Sequence, residues 1–217
     1  MDEPLLAIDG ALGSFSVAVL GSDVALAERL DGRDALERGL ELVRIVLESA
    51  GLALAGIRAV AVGVGPGSFT GLRIAIAFAK SIALGRHLPL AGVSSFDILD
   101  RAAGAESAFP RLTVVYGRTG IACIRRSEAD GSRVACGPVA ATVARLVGKE
   151  TDLTLVGATE DVLSAVRERE MSVHIAPVPS EPPALTLARL ARERAPAPSI
   201  HAVAPDYGEL PAVKLKS

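Results

Sequence analysis

The chain opens with short apolar runs cut by turn residues: 5–9, 14–20 and 24–30, separated by Gly10 to Gly13 and Gly21 to Asp23. Runs of this length bounded by Gly and Asp predict strands joined by tight turns, and so an antiparallel meander. From 34 to 50 the apolar spacing becomes helical, and Gly51 ends it. Residues 57–64 form a nearly continuous β-branched run, as a buried central strand would. A second helix is predicted over 70–84, ending at Gly85, then a strand over 90–93 and a helix to about Ala103 that Ser94 or Ser95 can cap. This order gives a mixed sheet with helices packed on it. It is an α/β chain with the element order of the ribonuclease-H-like fold of the actin, sugar-kinase and Hsp70 superfamily, an analogy that decides no function.

The second half is less regular. A hairpin around Gly117 is predicted from 112–116 and 119–126, then a short strand over 134–136, a helix over 141–147 and a strand over 153–156. A helix over 160–169, a strand over 173–177, a Pro-rich turn over 179–183 and a helix over 184–194 follow. A Pro/Ala linker at 195–199 leads to a tail with a basic pair, Lys214 and Lys216. The stretch 104–110 is the expected boundary between two mixed-sheet lobes. These are a ribonuclease-H-like domain at 1–103 and a smaller, degenerate α/β domain at 110–217. No internal repeat is visible.

The two long helices of the first half carry more apolar residues than one sheet face needs. The first has Leu36, Leu40, Leu42, Val43, Ile45, Val46 and Leu47, wider than the ~100° stripe of a half-buried helix. The second has Leu72, Ile74, Ala75, Ile76, Ala77, Phe78, Ala79, Ile82, Ala83 and Leu84, interrupted only by Arg73, Lys80 and Ser81. Such a helix must be covered on more than one side. A deep position within the domain and a protein–protein interface both satisfy that requirement.

Between the central strand and the second helix lies Gly65-Pro66-Gly67-Ser68-Phe69-Thr70-Gly71. Gly65 and Gly67 permit turn geometry, Pro66 fixes φ, and Ser68 or Thr70 can cap the helix. Backbone N–H groups gathered at a helix start suit an anion, so the turn is either structural or a vestigial phosphate site. The spacing fits neither a Walker loop, which needs Gly-Lys-Ser/Thr, nor a G-x-G-x-x-G fingerprint, nor a G-x-S-x-G elbow. Asp9, at the end of the first strand, reads as a turn residue rather than a metal ligand, since no hydroxyl follows until Ser14. His87, His174 and His201 are isolated, so no metal site is expected.

Composition narrows the field further. Half of the residues are hydrophobic, aromatics make up 3%, Trp is absent and the net charge is −2. Stacking platforms and polyanion-binding surfaces are therefore not indicated. Arg125 and Arg126 read as a solvated strand end. Cys123 and Cys136 match no zinc or disulfide framework and read as small apolar residues in a reducing compartment. The N-terminus lacks the basic start of a signal peptide, and no run reaches the ~18 apolar residues of a membrane span. A soluble cytoplasmic protein without a membrane partner is expected.

The string GPGSFTGLR, continued as IAIAFAKSIAL, resembles the signature of the TsaB family, also called YeaZ; LAIDGALGSFSVAVL and PLAGVSSFDIL extend the resemblance over about the first hundred residues. The resemblance implies a non-catalytic scaffold subunit. Such a subunit binds a TsaD-type catalytic subunit and, with a TsaE-type ATPase, serves threonylcarbamoylation of the adenosine beside the tRNA anticodon. It implies that the two helices pair with TsaD, or with a second copy as a homodimer. The expected contacts are Leu36, Leu40, Val43, Leu47, Leu72, Arg73, Ile74, Phe78 and Ile82. Transfer RNA is met only through the complex. No intrinsic cofactor is expected, and ATP or ADP has a place only at the interface, where Arg73 could meet a phosphate. The sequence departs from the family's pattern at Asp9-Gly10-Ala11, at Tyr116-Gly117-Arg118 and at Tyr207-Gly208-Glu209. The competing reading is a small ATP-dependent kinase or other phosphotransferase, for which Gly157-Ala158-Thr159 would be the weak second phosphate loop. A peptidase lacks a recognisable nucleophile–base pair.

Overall fold

The computed structural model describes residues 3–118, 120–148, 152–167, 172–177 and 179–208. In the first sheet, β1 (Leu5–Asp9), β2 (Phe15–Leu20) and β3 (Ala25–Leu30) form the expected meander, and β4 (Ala59–Gly65) and β5 (Leu90–Ser94) add in parallel, in the order β3-β2-β1-β4-β5. The second sheet is built from β6 (Arg111–Arg118), β7 (Ile121–Glu128), β8 (Gly131–Pro138), β9 (Asp152–Val156) and β10 (Ser172–Ile175), in the order β10-β9-β6-β7-β8. Read from each lobe's first strand, the two orders are the same. The repeat that no sequence similarity shows is present as topology. The chain has a two-lobe ribonuclease-H-like fold.

Helices α1 (Gly39–Ser49) and α2 (Phe69–Arg86) lie on one face of the first sheet. There Leu42, Val43, Val46, Leu47, Leu72, Ala75, Ile76, Ala79 and Ala83 pack on Leu6, Ile8, Val17, Val19, Val60 and Val62. The opposite face is covered by α6 (Pro183–Arg192) and by Ile98 of α3 (Ser95–Ala102), against Leu5, Ala7, Ala18, Ala61, Ala91 and Val93. In the second lobe, α4 (Val139–Leu146) and α5 (Glu160–Arg167) close the core over Leu112, Ile124, Leu153 and Leu155.

Several expectations need correction. The first helix begins at Gly39; residues 33–35 form a 3-10 turn. The second helix passes through Gly85 and ends at His87, whose left-handed φ of 52° provides the cap that glycine was expected to give. The strand expected to turn at Gly117 continues to Arg118, with a register shift between Tyr116 and Arg118. Arg125 and Arg126 are not a solvated strand end: Arg125 pairs with Asp97 and Asp100, and Arg126 with Glu128 and the Leu146 carbonyl. The boundary at 104–110 divides the sheets, but 110–217 is not one domain. The helix α6 packs on the first sheet, and beyond it Ala197 N–H donates to Leu90 O and Asp206 N–H to Val64 O. The first lobe is thus completed by residues 183–206. Lys214, Lys216, Glu209 and the end of the expected 160–169 helix lie outside the described residues.

The cysteines are also corrected. Cys123 and Cys136 stand opposite one another in the β7–β8 ladder and form a disulfide, with Cα atoms 4.1 Å apart. Among the described residues, no helix is long and apolar enough to cross a membrane.

Candidate functional site

The glycine turn is set by close contacts on both sides. Gly10 and Gly71 cross so tightly that a Cβ on Gly71 would overlap the Gly10 carbonyl, and one on Gly10 would lie 2.5 Å from the Gly71 carbonyl. On one flank a Cβ on Gly67 would overlap the Ala11 carbonyl, which accepts from Ser68 N–H at 2.9 Å. On the other, a Cβ on Gly65 would overlap the Asp206 carbonyl. Ser68, not Thr70, caps α2, its hydroxyl accepting from Gly71 N–H at 3.3 Å. The turn therefore fixes where α2 starts and how close it comes to the β1–β2 turn.

Asp9 is fully buried at this crossing. Its Oδ2 accepts from Ala11 N–H at 3.2 Å and Leu12 N–H at 3.3 Å. A Cβ on Gly63 would overlap Oδ1, which has no hydrogen-bond partner. Burial pushes the carboxyl up to about 6 from 3.8, against the two backbone N–H donors that pull it down. Asp9 is thus a turn-closing residue walled in by backbone. The 10–13 and 65–68 turns touch through their backbones, at Ala11 O against Gly67 and the Ser68 N–H. Among the described residues no three His, Cys, Asp or Glu side chains gather as metal ligands. The Thr159 hydroxyl bonds to Tyr116 and Asp161, and its carbonyl starts α5, accepting from Val162 N–H and Leu163 N–H. These bonds hold Asp161 below the usual carboxylate range, with Thr159 the main cause.

The seam between the lobes is tied by charge. Asp100, buried on α3, accepts from Arg111 at 2.6 Å, Arg125 at 2.7 Å and the Thr113 hydroxyl, all from the second sheet. Asp97 accepts from Arg125 at 2.5 Å and Arg194 at 2.8 Å. Burial pushes the Asp97 carboxyl up, but the hydrogen bonds and charges of these arginines outweigh it and hold it below its ordinary value.

The outer side of α1 and α2 is the other candidate site. Leu40, Phe69 and Leu84 are 58%, 54% and 65% exposed. Leu36, Ile74, Phe78 and Ile82 are half-buried behind them, and Arg73 is exposed with its guanidinium 5.2 Å from the Phe69 ring centroid. Three expected contacts are corrected: Val43, Leu47 and Leu72, at 6%, 6% and 0% exposure, face the sheet and offer nothing to a partner. Phe69 and Leu84 were missed, although both are apolar residues on an already apolar helix.

A family model described as "TsaD: tRNA N6-adenosine threonylcarbamoyltransferase" matches residues 30–173, well over half of the chain. The tRNA threonylcarbamoyladenosine biosynthesis protein TsaB of Escherichia coli is 38% identical over 118 residues, 54% of this chain and 51% of that protein. The chain belongs to the TsaB (YeaZ) family. An uncharacterized Mycobacterium leprae protein is 34% identical over 168 residues, covering 72% of this chain and 43% of that one. The chain spans about half the length of the curated relatives it matches. The solved YeaZ of Pseudomonas aeruginosa superposes with a TM-score of 0.68 at 26% identity, over 94% of this chain and 99% of that one. A hexokinase of Thermus thermophilus, at 14% identity and a TM-score of 0.50, shares the fold alone. The TsaB resemblance had rested on the first hundred residues, whereas the family model and the YeaZ superposition extend into the second lobe.

Proposed function

We propose that this TsaB-family chain is a non-catalytic scaffold subunit for threonylcarbamoylation of the adenosine beside the tRNA anticodon. It binds a TsaD-type catalytic subunit through the outer side of α1 and α2, within a cytoplasmic assembly that also uses a TsaE-type ATPase. The carrying observation is that apolar side, exposed at Leu40, Phe69 and Leu84 with Leu36, Ile74, Phe78 and Ile82 behind. Interfaces of stable complexes resemble a domain core cut in two, and this surface has that character. The same helices suit a homodimer when TsaD is absent. ATP or ADP enters only as a ligand shared across the interface beside Arg73, and tRNA only through the complex.

Two features support a scaffold over a phosphotransferase. The turns at 10–13 and 65–68 are in contact, and Asp9 is enclosed. The buried Asp100–Arg111–Arg125 cluster ties the lobes that a kinase would close around its substrate.

The test is to purify the chain, its TsaD-type partner and the TsaE-type ATPase from one organism. The chain alone is expected to show no ATP hydrolysis and no threonylcarbamoyl transfer. It should co-elute with the TsaD-type subunit, and the three together should modify tRNA. Metal-dependent turnover by the chain alone, lost on Asp9→Ala, would overturn the proposal.

A further inference from the structure

The disulfide does not sit at an indifferent place in the second sheet. Cys123 and Cys136 belong to a small apolar cluster with Phe96 and Leu99 of α3, Val115 of β6, and Leu12 from the β1–β2 turn. That cluster is the seam between the lobes. Segment 203–208 closes it. A Cβ on Gly208 would overlap the Cys123 sulfur and lie 2.8 Å from the Cys136 sulfur, with Pro66 of the glycine turn next in line. Two residues earlier, Asp206 N–H donates to Val64 O at 2.7 Å, and the Tyr207 ring lies 4.9 Å from that of Phe69 at the start of α2. One short stretch thus connects the two sulfurs to the exposed apolar end of α2.

We propose that Cys123–Cys136 is a reversible thiol–disulfide site whose redox state sets whether segment 204–208 stays docked in the seam. Cys136 is half-buried while Cys123 is 7% exposed, so Cys136 is the sulfur an incoming thiolate reaches. A dithiol reductant attacks Cys136 Sγ, forming a mixed disulfide there as the S–S bond breaks. Cys123 leaves as a thiolate and takes up a proton. The second thiol of the reductant then attacks the mixed disulfide. Cys136 is released as a thiol, and the dithiol leaves oxidised to its own disulfide. Two electrons have passed to the protein, and two thiols remain.

Bonded sulfurs are about 2 Å apart, whereas unbonded ones keep ordinary contact distance, roughly 3.5–4 Å. The pair must therefore spread on reduction. Strand neighbours and the Phe96–Leu99 cluster hold one side, and Gly208 stands against both sulfurs on the other. The segment is anchored at Val203, which is buried in the first-lobe core. Beyond it residues 204–208 are exposed or half-buried and can yield, held by a hydrogen bond from Asp206 and by the packing of Tyr207 on Phe69 and the core edge.

The test is amide hydrogen exchange of 204–208 in the full chain, after oxidised glutathione and again after dithiothreitol, with thiol alkylation and intact mass reporting the redox state. Reduction is expected to speed exchange there by at least about tenfold, while the β1 and β4 amides stay protected. Cys123→Ala/Cys136→Ala, which removes both sulfurs, should exchange slowly and ignore the reductant. Gly208→Ala should exchange fast in both redox states. Unchanged exchange over 204–208 with both thiols shown to be free would overturn the proposal, as would failure of the pair to oxidise. These readouts use this chain alone, so they stand or fall apart from the proposed TsaD binding.

Discussion

The two lobes share one strand order, and each lays two helices at equivalent places on its sheet: α1 and α2 on the first, α4 and α5 on the second. The pairs finish differently. On α5 the exposed residues are Glu160, Asp161, Ser164 and Arg167, and on α4 they are Ala140, Ala141, Ala144 and Arg145. That pair is complete once its inner side meets the sheet. The first pair also covers its sheet, with Leu42, Val46, Leu72, Ala75 and Ala79 buried, yet among exposed polar residues such as Glu41, Arg44, Glu48 and Arg73 it turns three large apolar side chains outward, Leu40, Phe69 and Leu84, where the second pair exposes none. Large apolar side chains left in solvent suit a partner, and among the described residues the Tyr207 ring covers part of Phe69 at one end. The difference is what supports the proposal of a partner-binding side in the first lobe.

Four changes, the first with Gly137→Ala as its control, probe how this asymmetry is built, from the largest expected effect to the smallest. Gly71→Ala forces a Cβ into the Gly10 carbonyl, which only backbone movement can relieve. It should cost several kcal/mol, on the order of 3–5, seen as a greatly lowered melting temperature. Gly137→Ala, whose Cβ meets only the Thr142 hydroxyl at 3.4 Å but whose φ is +145°, should cost about 1–2 kcal/mol through backbone strain alone. If the two melt alike, the crossing of the Gly10 and Gly71 backbones does not define the first lobe. Arg111→Ala leaves Asp100 with Arg125 alone among its arginines. Removing one partner of a buried pair should cost about 3 kcal/mol. Chemical denaturation should also resolve the lobes into separate transitions if the ion cluster couples them.

Asp9→Asn works in the opposite direction. The folded carboxyl titrates near 6 and the unfolded one near 3.8, so the folded state keeps its proton to higher pH. Stability from this group is full below about 3.8, falls as pH rises through 6, and is absent at pH 7. Asn removes that loss, so the variant should gain about 2–3 kcal/mol at pH 7–8 and little below pH 4. Urea melts at both pH values check it. The smallest effect is at Gly85, inside α2 with open space around its Cβ position. Gly85→Ala should add about 0.5 kcal/mol of helix propensity, raising the melting temperature slightly without altering the outer surface.

Much of the first lobe was legible because its strands are short and its turns carry Gly and Asp. The doubly apolar character of α2 was legible for the same reason, since period and composition report how many sides are apolar. They do not report which side meets the sheet, so Val43, Leu47 and Leu72 were grouped with Leu40 and Ile74. The boundaries of α1 were obscured by Leu36, an apolar residue that precedes the helix rather than belonging to it. The return of α6 to the first sheet was beyond reach, because sequence pattern carries no distance between a helix and a strand more than a hundred residues away.

The disulfide depends on a register that the turn residues do not give. With Glu128 paired to Gly131, the β7–β8 turn is Ala129-Asp130, and Cys123 and Cys136 lie equally far from its centre. An Asp-Gly turn with Asp130 and Gly131 as its two loop residues would pair Ala129 with Ser132 and set Cys123 opposite Pro138, whereas Gly131 belongs to the strand and the register is two residues different. Spacing tables for metal and disulfide frameworks miss this because they count residues along the chain, not across a ladder.

The comparison of the two helix pairs is tested most directly by calorimetric titration of the TsaD-type subunit into three forms of the chain. These are the wild type, Leu40→Glu/Leu84→Glu on α1 and α2, and Ala144→Glu/Ser164→Glu on α4 and α5. All four positions are exposed, so each variant should melt close to the wild type. The first variant is expected to lose about 100-fold in affinity, roughly 2.7 kcal/mol. The second should bind within about twofold of the wild type. Unchanged affinity for the first variant with a normal melt, or a loss confined to the second, would contradict the assignment of the partner-binding side to the first lobe.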